Sequence, residues 1–200
     1  MEKVQNDNHA IILLHEIYGI DGFIQDRRQR LQKSGYHVFC PNMIGREPFT
    51  QKESRKAYNF FMKNVGFDIY KEVDALINEL KERYHKVFIM GFSAGGTIGW
   101  RCCENMSCDG IISCYGSRIR DYTDLNPTCP TLLLFAKKES FDVQGLIGRL
   151  RDKKNLSIFG FDASHGFLNP YSKAYNEDEA ERAEELIHQF LRNPNTSTKV

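Results

Sequence analysis

The sequence has little that would commit it to a membrane, a metal or a disulfide framework. Residues 1–9 are polar and lack the apolar core of a signal peptide, and the first apolar run, residues 10–14, is too short to span a bilayer. The six cysteines form no C-x-x-C pair and no spacing typical of zinc ligands. We therefore expect reduced, mostly buried thiols in a cytoplasmic protein that needs no metal or organic cofactor.

Neither sign of charge prevails in the chain. The 27 lysines and arginines nearly balance the 26 aspartates and glutamates, so no overall field favours nucleic acid or an anionic membrane as a partner. A hydrophobic content of 41% in 200 residues is typical of one globular domain with a sizeable core. We expect a single domain over residues 1–192 and a frayed tail at 193–200, while the oligomeric state stays open.

Short apolar segments alternate with longer segments of helical periodicity. Six segments predict strands: 10–14, 37–40, 86–90, 110–114, 131–135 and 157–161. Several are apolar at consecutive positions, as strands buried on both faces are, whereas residues 66–84 repeat apolar side chains at three- and four-residue steps. The alternation predicts an α/β fold with a mostly parallel, twisted sheet of about six or seven strands and helices on both faces.

In such sheets ligands bind outside the carboxyl ends of the strands, and one strand here ends in a serine motif. The segment Gly91-Phe92-Ser93-Ala94-Gly95 matches G-x-S-x-G between a predicted strand and a predicted helix. This is the setting of a nucleophile elbow, in which Ser93 is held in a strained conformation and the flanking glycines prevent a collision. The N–H of Ala94 is then expected to supply half of an oxyanion hole.

A serine hydroxyl needs a base, and the base in turn needs an acid to orient it. His165 follows the last predicted strand and so fits the chain order nucleophile, acid, histidine. The acid must then lie between Ser93 and His165, just beyond a strand. Glu139 and Asp142 both follow the strand at 131–135. We favour Glu139, although the spacing allows either carboxylate.

The loop after the first strand reads His15-Glu16-Ile17-Tyr18-Gly19 and lacks the second histidine of the zinc motif H-E-x-x-H. Its position predicts the second oxyanion-hole N–H, from Ile17. Glu16 either holds or tunes the Ser93 proton or ties the loop down through backbone hydrogen bonds. Tyr18 is a candidate pocket wall, with plain packing as the alternative. The irregular segment 41–52 is a candidate to overhang the site.

Taken together, these motifs resemble the dienelactone hydrolase family of α/β-hydrolases. The matching segments follow the family's order across residues 10–190: 15–19, 40–42, 91–96, 135–139 and 165–167. The resemblance implies a compact core without a large lid domain, a nucleophile–acid–histidine triad, and a glutamate, here Glu16, that contacts the nucleophile. Because Glu139 falls where the family usually has its triad aspartate, the resemblance also favours Glu139 over Asp142.

The chain departs from the family pattern at two further positions. The founding enzymes use cysteine where this chain has Ser93, so thiolate chemistry does not carry over. They also carry a substrate-binding arginine four residues after the histidine, where this chain has Asn169. Arg46 and Arg118 are then candidates for binding a substrate carboxylate from other loops, with a plain surface position as the alternative for both.

These observations lead us to expect a serine hydrolase that cleaves a small ester or lactone through an acyl-enzyme. One alternative is a carboxylesterase or thioesterase for small substrates that lacks dienelactone activity. The other is a catalytically silent α/β-hydrolase that serves as a ligand-binding module. The intact order of serine, acid and histidine argues against the silent protein, because a binding module has no need of all three.

Overall fold

The structure, a computed structural model, describes residues 8–195 of the chain. Its sheet contains six strands: β1 (His9–Leu14), β2 (His37–Phe39), β3 (Lys86–Phe92), β4 (Gly110–Cys114), β5 (Thr131–Lys138) and β6 (Leu156–Ser164). They lie in the order β2-β1-β3-β4-β5-β6, and every neighbouring pair is parallel. The predicted parallel α/β fold is confirmed, and no lid domain is present among the described residues.

Six α-helices accompany the sheet within the described residues: α1 (Gly22–Lys33), α2 (Ser54–Asn64), α3 (Tyr70–Lys81), α4 (Ala94–Arg101), α5 (Val143–Leu150) and α6 (Glu177–Arg192). Three 3₁₀ helices lie at Gln51–Glu53, Phe67–Ile69 and Ser117–Asp121. Asn176 caps the start of helix α6, since its side chain accepts a hydrogen bond from the Glu179 N–H at 3.2 Å. No helix within residues 8–195 is long and apolar enough to cross a bilayer.

Two apolar clusters form the core, one on each face of the sheet. Successive residues of β1 point to opposite faces, so that Ile12 packs with helices α2 to α5 while Ile11 packs with α1 and α6. This explains why consecutive apolar residues, rather than alternating ones, mark the central strands. Of the six cysteines, all within the described residues, five are buried and Cys40 is half-buried, and all are free thiols.

The observed elements differ from the predicted ones mainly at their ends. Strands β5 and β6 continue past their apolar runs because they keep pairing across a register shift between Ala136 and Lys138. The helical pattern at 66–84 divides into the 3₁₀ helix Phe67–Ile69 and α3, which ends at Lys81. Residues 1–7, and residues 196–200 of the predicted tail, lie outside the described residues.

A buried ion pair joins the two helices on one face of the sheet. Arg27 of α1 contacts both carboxylate oxygens of Glu184 on α6, with Nη1 2.7 Å from Oε2. The guanidinium also lies 5.4 Å from the centre of the Phe92 ring, at the end of β3. Burial alone would raise the pKa of Glu184, but Arg27 holds this pKa below its usual value. The pair thus connects α1 and α6 directly beneath the turn that follows β3.

Removing Arg27 should destabilise the fold. We expect Arg27→Ala to lower the free energy of unfolding by about 3 kcal/mol, because Glu184 would keep its charge in a largely buried position without its partner. Urea unfolding at neutral pH measures this loss. The matched control is Arg83→Ala, which removes an exposed contact to Glu79 at 2.9 Å and should cost less than about 1 kcal/mol. Equal losses in the two variants would contradict a structural role for the buried pair.

Candidate active site

Ser93 lies on the sharp turn between β3 and α4. Its φ of 52° and ψ of −111° place a non-glycine residue in a sparsely populated backbone region. Two backbone hydrogen bonds hold the turn: the Ser93 N–H donates to the Cys114 carbonyl at 2.9 Å, and the Thr97 N–H donates to the Ser93 carbonyl at 3.0 Å. The serine is therefore fixed from the neighbouring strand and from its own helix.

The glycines of the motif permit this turn because backbone atoms crowd them. A Cβ atom on Gly91 would lie 2.2 Å from the Gly95 carbonyl oxygen. A Cβ atom on Gly95 would lie 2.4 Å from the Leu14 carbonyl oxygen. Both distances are far below van der Waals contact, and the obstructing atoms are backbone, which cannot rotate away. The G-x-S-x-G pattern here therefore reflects the close approach of α4 to β3 and β1.

His165 and Glu139 complete a chain of short hydrogen bonds that starts at Ser93. The Ser93 Oγ lies 2.7 Å from His165 Nε2, and His165 Nδ1 lies 2.6 Å from Glu139 Oε1. A carboxylate only accepts, so Nδ1 carries the proton and Nε2 is left to accept from the serine hydroxyl. The three residues follow the carboxyl ends of β3, β5 and β6, and these ends all lie at the same edge of the parallel sheet.

Asp142, the alternative acid, has a different partner. Its Oδ1 accepts a hydrogen bond from the Gly145 N–H at 2.8 Å and so caps the first turn of α5. The Glu139 side chain is only 10% exposed, as expected of a group that lies under the imidazole. Of the two carboxylates, the structure places Glu139 against His165 and Asp142 at a helix end.

The predicted oxyanion-hole residues both lie in the cleft beside Ser93. Ala94 is the first residue of α4, so its N–H is one of the four that have no partner within the helix. Ile17 lines the same cleft from the loop after β1. That loop is held by His15, whose Nε2 accepts from the Met43 N–H at 3.0 Å and whose Nδ1 lies 2.6 Å from the Glu16 carbonyl oxygen.

Glu16 is a buried acid, only 5% exposed. Burial raises its pKa to about 7, and the charge of His165 together with the hydrogen bond from Asn169 limits the increase. The Asn169 side-chain amide donates to Glu16 Oε2 at 3.4 Å. Asn169 therefore faces Glu16 rather than the open cleft, and it contributes no charge there.

Tyr115 is a site residue that the sequence analysis did not single out. It is fully buried, has a φ of 41°, and its ring centre lies 5.0 Å from that of His165. Its backbone N–H donates to the Leu134 carbonyl at 2.7 Å, which holds the strained residue in place. The available signal was its position directly after β4, followed by Gly116, at the carboxyl edge of the sheet.

An open cleft of about 290 Å³ surrounds the serine. One of its walls comes from α2 and the following 3₁₀ helix, and another from the 3₁₀ helix Ser117–Asp121. Of the candidate substrate-binding residues, Arg118 lies in this lining. Arg120, which the sequence analysis passed over, also lies there.

Two other candidates lie away from the cleft lining. Tyr18 is half-buried, and its carbonyl accepts a hydrogen bond from the Phe49 N–H at 2.8 Å. Arg46 is exposed and its guanidinium lies 4.1 Å from the centre of the Phe49 ring. Both contacts are made by the segment 41–52, which packs on the first loop instead of overhanging Ser93. Within residues 8–195, no group of three or more histidine, cysteine or acidic side chains is arranged to hold a metal.

A parallel sheet with a serine on a strained strand-to-helix turn defines the class of protein as an α/β-hydrolase. The model of the dienelactone hydrolase family matches residues 1–194. The chain belongs to the dienelactone hydrolase family, and it is accordingly an ester or lactone hydrolase.

Individual relatives are similar to this chain over most of their length. The chain is 40% identical to the uncharacterized protein YczH of Bacillus subtilis over 170 residues, which cover 83% of this chain and 84% of that protein. It is 20% identical to carboxymethylenebutenolidase 1 of Cupriavidus pinatubonensis, over 84% of this chain and 78% of that protein. A dienelactone hydrolase-like promiscuous phosphotriesterase from metagenomic libraries has the same fold, with a TM-score of 0.73 and 14% identity, over 96% of this chain and 88% of that one.

The buried Glu16 should make stability depend on pH. Its pKa rises from 4.5 to about 7 on folding, so the stability it contributes is full below about pH 4.5 and is lost as the pH rises through 7. Between pH 5 and pH 8, we expect the free energy of unfolding of Glu16→Gln to rise by about 2 to 3 kcal/mol relative to that of wild type. Urea unfolding at both pH values measures the difference. Glu181→Gln, on the exposed surface of α6, should retain the wild-type pH dependence. If Glu16→Gln also retained it, the pH dependence of stability could not be assigned to Glu16.

Proposed function

We propose that this protein is a serine hydrolase that cleaves a small ester or lactone through an acyl-enzyme on Ser93. The observation that supports the proposal is the unbroken series of hydrogen bonds from Ser93 Oγ to His165 Nε2, at 2.7 Å, and from His165 Nδ1 to Glu139, at 2.6 Å. Each partner has the chemistry that its position requires: a hydroxyl nucleophile, an imidazole that can accept its proton, and a carboxylate.

In the first half of the reaction, Ser93 Oγ attacks the carbonyl carbon while its proton passes to His165 Nε2. Glu139 orients the imidazole and stabilises the positive charge that it gains. The N–H groups of Ala94 and Ile17 would hold the oxyanion. The tetrahedral intermediate then collapses, and the leaving alkoxide takes the proton from His165 Nε2.

In the second half, a water molecule gives its proton to the same nitrogen and attacks the acyl carbon. The acid product leaves as Ser93 Oγ regains the proton, so the enzyme returns to its starting state. Glu16 lies close enough to His165 for the imidazolium charge to lower the pKa of this carboxyl. We infer that an ionised Glu16 would in turn favour the imidazolium, which gives it an electrostatic role in addition to its contact with Asn169.

The cleft volume of about 290 Å³ favours a small substrate. One relative is a carboxymethylenebutenolidase, which supports a lactone among the substrates. The second candidate function, a carboxylesterase or thioesterase without dienelactone activity, is favoured by the aromatic and aliphatic wall that α2 contributes. Both candidates use the same triad.

Free thiols at all six cysteines support a cytoplasmic location, and the balanced charge supports a small-molecule partner rather than nucleic acid.

The nucleophile is tested with p-nitrophenyl acetate and a fluorophosphonate probe. Wild type should turn over the ester and label covalently, whereas Ser93→Ala should lose labelling and at least about a thousandfold in kcat. Circular dichroism checks that the variant is folded. Activity that survives in Ser93→Ala would overturn the assignment. A folded wild type that is inert and unlabelled would instead favour the ligand-binding module.

The acid is tested by two matched amide substitutions. Glu139→Gln should reduce kcat by about a hundredfold or more, because an amide cannot stabilise the imidazolium and can favour the wrong tautomer. Asp142→Asn keeps a helix-capping side chain and should leave kcat within about twofold of wild type. If the larger loss followed Asp142→Asn, the roles of the two residues would have to be exchanged.

A further inference from the structure

Two walls of the cleft beside Ser93 differ in chemistry. Helix α2 and the 3₁₀ helix after it contribute Tyr58, Phe61, Met62 and Phe67. Tyr58 and Met62 are 49% and 40% exposed, so this apolar surface continues to the rim of the cleft. Large side chains exposed next to a nucleophile provide a surface on which an apolar group of a substrate can be buried.

The other wall, the 3₁₀ helix Ser117–Asp121, is cationic. Arg118 and Arg120 both line the cleft and are half-buried. One carboxylate, that of Asp121, lies 2.6 Å from Arg118 Nε and 4.0 Å from Arg120 Nε. Two guanidinium groups therefore face a single carboxylate, and the wall keeps a net positive charge. Glu139, the acid among the lining residues, is already bonded to His165.

Arg120 has a defined orientation relative to the triad. Its guanidinium donates to the Ser117 carbonyl and lies 4.6 Å from the centre of the Phe141 ring. Phe141 is two residues beyond Glu139, which contacts His165. The arginine wall thus adjoins the segment that holds Glu139 against His165. Since His165 must protonate the leaving group, the leaving group is assigned to the arginine wall and the acyl group to the α2 wall.

We propose that Arg118 and Arg120 form a subsite for a negatively charged leaving group, so that the favoured substrates are esters of an apolar acyl group with an anionic alcohol. The proposal rests on the serine-hydrolase function proposed above. A guanidinium remains charged at any physiological pH and presents several N–H donors, which suits it to bind a carboxylate or phosphate in a half-buried wall.

The test compares two butyrate esters of matched size, one of 4-hydroxybenzoate and one of 4-hydroxybenzamide. The ratio of their kcat/KM values is measured for wild type, Arg118→Gln, Arg120→Gln and the two corresponding lysine variants. Differences in intrinsic reactivity cancel when ratios are compared between variants. Each glutamine variant should lower the anion-to-amide ratio about tenfold, and each lysine variant should restore part of it. Arg83→Gln, in the exposed turn after α3, should leave the ratio unchanged.

Equal losses on both esters, or an unchanged ratio in folded variants, would overturn the subsite. Salt gives a test on the wild type alone: raising ionic strength from about 0.02 M to about 0.5 M should lower kcat/KM for the anionic ester and spare the amide. Failure of the proposed function is recognised separately, because turnover would then be absent or would survive in Ser93→Ala. In that case calorimetric binding of 4-hydroxybenzoate, compared with 4-hydroxybenzamide and with Arg118→Gln, still decides whether the subsite exists.

Discussion

The structure depends on how closely the N-terminus of α4 approaches the backbone of β1 and β3. Gly91 and Gly95 leave no room for even one additional carbon atom, and Ser93 accepts a strained conformation as a consequence. This close contact brings the serine and the first N–H groups of the helix to the edge of the sheet. His165, Glu139 and the cleft residues Ala94 and Ile17 are arranged around that fixed point.

The charged groups near the turn are placed by the same geometry. The ion pair of Arg27 and Glu184 lies behind Phe92 on one face of the sheet, and it holds together the two helices that support that face. On the catalytic side, Glu139 is paired with His165, while Glu16 is buried with Asn169 as its neighbour. One acid is thus hydrogen-bonded to an imidazole, whereas burial raises the pKa of the other.

Much of the fold could be predicted because buried parallel strands have consecutive apolar residues, and the elbow could be located because its glycines obey a steric rule. The ends of β5 and β6 could not, since a register shift leaves no mark in the hydrophobic pattern. The choice between Glu139 and Asp142 required distances, because both follow the same strand. Arg46 was misleading as a candidate for the cleft because the path of its segment depends on a remote contact, from His15 to Met43. Nothing in the hydrophobic pattern of the sequence marks Arg120 as a residue of the cleft.

The cleft walls and the reacting groups belong to different connections of the sheet. Ser93, Glu139 and His165 follow β3, β5 and β6, whereas the walls come from the connection between β2 and β3 and from the segment after β4. Substitutions in the walls can therefore accumulate without moving these three residues. Such a division lets descendants of one ancestral enzyme exchange one range of substrates for another while the chemistry of bond cleavage is inherited unchanged.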